Sequence, residues 1–184
     1  TSLEHLYLDV AQEAPINLGD YTSKTGDLGE SDSLSVTIQG EGNASFTSLQ
    51  NNDDLESIVL TNNGPGLLEV QGVNLIGDTG KAGSSLVLGG DGEIAVDTLQ
   101  SDNTAIMYVH ADGGGTYGIE KLDATDNDLA VFRTLGAGDL QVKALSVKGV
   151  KLAKNLDIKF HGNGNVSVEE IKQGSQGESI QGSL

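Results

Sequence analysis

A pair of glycines separated by one residue recurs six times, and it constrains this 184-residue chain more than any other feature. The pairs are Gly40/Gly42, Gly64/Gly66, Gly90/Gly92, Gly113/Gly115, Gly136/Gly138 and Gly162/Gly164, at steps of 24, 26, 23, 23 and 26 residues. Apolar residues alternate before each pair, as in Leu34, Val36 and Ile38 or Leu156, Ile158 and Phe160. A second alternating stretch follows, as in Ile94, Val96 and Leu99 or Val166, Val168 and Ile171. A period of two predicts strands with one buried face. Gly-x-Gly between two strands predicts a tight bend that calls on positive φ.

A longer duplication lies over this repeat. A gapless shift of 72 residues places Gly64 on Gly136, Leu68 on Leu140, Leu86 on Ile158, Leu88 on Phe160, Gly90 on Gly162 and Ile94 on Val166. Three units of about 24 residues make that length, so residues 32–176 read as six related units. A unit this short cannot bury its own apolar face, and stacking solves the problem. The reading is therefore all-β: a β-solenoid, or parallel β-helix, of about six 24-residue coils with aliphatic ladders inside. A β-sandwich or jelly roll is the alternative, and a trefoil fits less well because it repeats in threes. Residues 1–31 fall outside the repeat as an N-terminal arm or capping strand, and 177–184 form a polar C-terminal tail.

The stretch from Leu156 to Val168, with Gly162-Asn163-Gly164 at its bend, resembles the repeat of the head GIN domain of auto-transporter adhesins. So does Ser84 to Val96, although the serine that the family carries between the glycines is missing here. The resemblance implies a right-handed β-helix at a cell surface and no catalytic residues.

Charge and composition narrow the partners. Ten Lys and Arg against 27 Asp and Glu give a net charge of −17, which argues against nucleic acid, whose phosphates need a basic footprint. No apolar run reaches the ~18 residues of a membrane-spanning helix. The chain has no Cys, which removes disulfides and thiol chemistry. An acidic chain rich in Gly, Asn and Asp fits a secreted or cell-surface protein. His5, His110 and His161 share no repeat position and no metal-ligand spacing, so a non-enzymatic role is expected.

Acidic clusters follow the second strand of three units: Asp53 and Asp54, then Asp102, then Asp123, Asp126 and Asp128. If such corners stack, carboxylates with amide oxygens suit calcium. The other reading is that Asn and Asp make good solvated turns. Residues 1–142 hold four basic and 23 acidic side chains, whereas 143–184 hold six basic and four acidic. That polarity suits head-to-tail association of the chain with itself, because heterologous contacts generate filaments. Leu6, Tyr7, Leu8 and Val10 are the assembly candidates, as an edge strand added to the chain's own first coil or to a neighbour. The resulting expectation is a self-assembling surface or filament subunit, or an adhesin domain. A binding module for surface glycans or calcium is the alternative, and a carbohydrate-active enzyme a more distant one.

Overall fold

In the computed structural model the described residues are 5–10, 16–22, 32–50, 55–76, 83–102, 106–125, 129–148, 156–173 and 180–183. They form strands and, among them, no helix. The first sheet holds β1 (His5–Asp9), β4 (Asp32–Gln39), β6 (Leu55–Asn62), β8 (Ser84–Gly90), β10 (Ile106–Asp112), β12 (Leu129–Thr134), β14 (Leu156–Gly162) and β16 (Ile180–Ser183), in that order. The second holds β2 (Ile16–Asn17) and β3 (Asp20–Thr22), both beside β5 (Ala44–Gln50). It continues through β7 (Leu67–Ile76), β9 (Glu93–Asp102), β11 (Thr116–Thr125), β13 (Asp139–Lys148) and β15 (Val166–Gln173). Each unit gives one strand to each sheet, and every pairing is parallel. The chain is a parallel β-solenoid.

The core is a set of ladders. In the first sheet Leu34, Ile58, Leu86, Val109 and Phe132 are successive register partners and are buried. In the second, Phe46, Val70, Val96, Ile119 and Val142 form one ladder, and Leu49, Val73, Leu99, Leu122 and Leu145 another. Each such side chain contributes about 1.5–3 kcal/mol by leaving water. Between these two ladders the alternation skips: Glu120 and Lys121 both point outward between buried Ile119 and Leu122. The strand bends there, which gives the coil a corner inside its second sheet.

The first glycine of four of the six pairs, Gly40, Gly90, Gly113 and Gly162, has the positive φ expected, and close approach adds a second constraint. A Cβ on Gly115 would lie 2.2 Å from the carbonyl oxygen of Gly92, and one on Gly66 would lie 2.1 Å from that of Gly42. Neither Gly115 nor Gly66 has a left-handed φ, so at these two positions close approach alone calls for glycine. Each bend rests on the backbone of the bend beneath it, and only glycine leaves room.

Register also changes the meaning of the 72-residue match. In the second sheet it holds column by column, because Ile94 and Val166 share one ladder. In the first sheet Leu86 shares its column with Phe160, two residues beyond Ile158. The bend explains the offset. From Leu60 to Leu68 it takes eight residues, from Leu88 to Ile94 six, and from Gly162 to Val166 four. Both shortenings are by two, which keeps every side chain on its own face, whereas a change of one would invert the strand.

At each shortening a polar side chain plugs the bend. Asn62, fully buried, donates from Nδ2 to Gly66 O (2.6 Å) and Glu93 O (2.8 Å) and accepts at Oδ1 from the Gly64 N–H (3.0 Å). Thr134, 72 residues on and also buried, accepts at Oγ1 from the Gly164 N–H (2.9 Å) and lies 3.3 Å from Gly164 O. Between them Tyr117 donates to Gly90 O (2.5 Å) and accepts from the Gly115 N–H (3.3 Å). Burial pushes the Tyr117 phenol above its ordinary pKa, and the Gly115 N–H opposes that shift.

Burial fades toward β15. Leu86, Leu88, Ile94 and Val96 are buried, but Val166 and Val168 are only partly so and Ile171 is 46% exposed. β15 is the outer strand of its sheet, so no further strand covers it among the described residues. The side chains of Ile158 and Phe160 lie outside the described set.

Position in the ladder therefore sets the cost of truncation. Leu99→Ala, mid-ladder, is expected to destabilise by about 2–5 kcal/mol, whereas Ile171→Ala should cost less than about 1 kcal/mol. Asn62→Ala orphans buried backbone groups and should cost about 1–3 kcal/mol. Urea denaturation midpoints of the three variants test this order.

Candidate functional site

The interior holds ladders and bend plugs, so sites for partners lie on outward columns. On the second sheet one such column runs Asn17, Ser45, Glu69, Ala95, Gly118, Gln141 and Ser167. Ala95 and Gly118 are its smallest members, and a Cβ placed on Gly118 would touch nothing within 4 Å. They floor a shallow groove of about 240 Å³. Glu93 and Thr116 line one side, Asp97 and Glu120 the other. Lys143 closes the end, with Nζ 2.5 Å from Glu120 Oε2. That hydrogen bond and the charge of Glu120 raise the Lys143 pKa. The Gln141 amide donates to Glu169 in the next coil.

The acidic corner at the ends of β9 and β11 is less regular than its spacing suggested. Asp102 is exposed and its column continues to Thr125, whereas Asp123 sits two columns earlier, beside Gln100 and Ser146. The two carboxylates are not register partners. Asp123 is 8% exposed although it points outward between Leu122 and Ala124. Its Oδ2 accepts from Lys121 Nζ at 2.5 Å, and its buried Oδ1 has no partner among the described residues. Residues 53, 54, 126 and 128, the other sequence-derived calcium candidates, lie outside the described residues. Among the described residues no three His, Asp or Glu side chains are placed to share a metal ion.

The assembly candidates lie in β1 and just past it. β1 pairs with β4 of its own chain from His5↔Ser35 to Asp9↔Gln39. Val10 is buried, Leu6 and Leu8 pack against the core, and Tyr7 is 59% exposed. The outer edge of β1 faces no other strand among the described residues.

Sequence spacing reads the three histidines as unrelated, but the register puts His5, His110 and His161 in one column of the first sheet, because the bends between them change length. There His110 and Arg133 are register partners, and the Tyr108 ring meets His110 edge-on with centroids 5.5 Å apart. Burial, then the Arg133 charge, holds the His110 imidazole below its ordinary pKa, with Asp112 opposing. No family model, curated protein or solved structure matches the chain.

The His110 shift has a sign that can be checked. Above the unfolded imidazole pKa of about 6.5 both states are neutral and nothing is lost. As pH falls below that value the unfolded state takes up the proton first, so stability drops until the folded group also titrates. Arg133→Gln removes one cause of the lowered pKa. Thermal melts at pH 7.5 and 5.5 should show a smaller loss in Arg133→Gln than in the parent chain.

Proposed function

We propose that this chain is a non-enzymatic extracellular structural protein, a self-assembling surface or filament subunit or an adhesin domain. The observation that carries the reading is the end of the stack at β15, which no further strand covers among the described residues. The apolar ladders do not finish in polar residues at β15 but run out into Val166, Val168 and Ile171, with Ile171 46% exposed. Unpaired edges of this kind pair with other chains unless they are covered, bulged or charged. The surface location follows from composition and from the resemblance to the head GIN domain, and it stands with the rest of the proposal.

The second reading is a glycan- or calcium-dependent binding module, and Asp123 favours its calcium side. Its buried Oδ1 has no hydrogen-bond partner among the described residues, and a carboxylate oxygen is a calcium ligand type. A cation bound to the folded chain alone raises the melting temperature by mass action.

Two measurements separate the readings. Sedimentation velocity over a range of concentrations should show growth in size, weakened by salt because screening shortens the reach of surface charge to about 3 Å near 1 M. A chain that stays monomeric at every concentration counts against the assembly reading. Thermal melts in chelator and in millimolar calcium should coincide if assembly alone is the function, whereas a rise with calcium that is lost in Asp123→Ala favours the binding module.

A further inference from the structure

We propose that a second copy of this chain docks head to tail, with β16 of one copy and β1 of the next lying end to end in a single shared rung. The proposal rests on the self-assembly reading and adds the joint through which it works.

Columns of register partners define where each strand sits. One column of the first sheet runs Ser35, Val59, Val87, His110, Arg133 and His161, and β1 enters it at His5. From there β1 spans the columns up to that of Gln39. β16 lies on the other side of this boundary, pairing with Leu156 to Lys159. Ser183 occupies the column of Lys159, which runs back to Ser33. One column, that of Leu34 and Phe160, separates Ser183 from His5. The two strands are thus complementary parts of one rung. Among the described residues β16 leaves His161 and Gly162 of β14 open, and these are the columns that β1 of a second copy fills.

The second sheet supplies the rest of that rung. The column of Ile16 ends at Val166, and that of Tyr21 ends at Ile171. Laid on β15, β2 and β3 of the next copy continue the two ladders that end in half-buried Val166 and exposed Ile171.

Hydrogen-bond phase agrees at both strands. Val10 N–H bonds Gln39 O and Ile16 N–H bonds Asn43 O, so by alternation Tyr7 and Asn17 turn their N–H groups to the open side. At the other end Asn163 N–H bonds Thr134 O and Asn165 O accepts from Leu140, which leaves Gly162 and Val166 facing outward. These are the partners that continued parallel pairing requires. Charge agrees too: residues 1–31 carry six acidic and one basic side chain, against four acidic and six basic in 143–184.

Cysteine pairs test the joint, because the chain has no Cys of its own. Asn17 and Ser167 are exposed and share a column, at opposite ends of the stack. Across the joint their Cα atoms would be about 4.8 Å apart, within disulfide reach. The double variant Asn17→Cys/Ser167→Cys should oxidise to a ladder of multimers on a non-reducing gel. Asn17→Cys/Glu169→Cys, displaced by two residues to about 8 Å, should give at least tenfold less. Equal cross-linking of both pairs overturns the register. Assemblies in sedimentation without the register-specific cross-link overturn the joint and leave self-assembly standing. A monomer by both measures overturns the joint and the assembly reading together.

Discussion

Everything in this fold depends on how closely one bend can sit on the next. Parallel strands in neighbouring coils lie about 4.8 Å apart, and the bends must follow at the same pitch. At that pitch the carbonyl of one bend points into the space a Cβ would occupy in the next: 2.1 Å for Gly136 above Gly113, and 2.2 Å for Gly115 above Gly92. The glycines are therefore a condition for the ladders, since a bulkier bend would lift the coils apart and open voids between aliphatic side chains. Where the bend changes length the packing defect is polar, and Asn62 and Thr134 fill it with hydrogen bonds where a hydrophobic side chain would leave bend N–H and C=O groups unsatisfied.

This dependence accounts for what the sequence makes legible. Alternation around Leu86 and Val96 marks strand and face, and the glycine spacing marks the coil, because pitch and burial act on every unit alike. The corner at Glu120 was visible as the three-residue spacing between Ile119 and Leu122, although it reads there only as an irregularity. The shortening of the bend was not legible. A loss of two residues preserves alternation, so the motif looks intact while Leu86 and Ile158 move to different columns. Asn62 and Thr134 were passed over for the same reason, being polar residues of unlike chemistry in positions that a pattern search reads as aliphatic.

Candidate sites were less legible than the fold, for a reason that belongs to solenoids. Inward residues are held to one chemistry by their neighbours above and below. Outward residues are not, and the acidic clusters show it. Asp102 and Asp123 follow the same strand end in consecutive units, yet sit two columns apart, one exposed and one buried with a lysine. Similar local spacing is no guide to adjacency when a displacement of two residues keeps the face but changes the neighbour.

The same logic explains why the outward face departs from the repeat at all. Strict repetition would place identical side chains directly over one another, and like charges so close are destabilising. The column at the corner reads Thr47, Gln71, Asp97, Glu120, Lys143 and Glu169 through the strands on either side of it. Asp97 and Glu120 stand together there, and Lys143 follows, bonding Glu120 on one side with Glu169 on the other adding to its raised pKa. A chain with a net charge of −17 has few cations to spend in this way. Placing six of its ten in residues 143–184 relieves the carboxylates of the last coils and leaves those of the earlier ones with little compensation. Such a charge gradient along a stack is unfavourable to side-by-side alignment in the same direction, where like regions face each other, and favourable to end-on approach. Divergence on the outside, which hides candidate sites from a pattern search, is what gives the two ends of an otherwise repetitive molecule different identities.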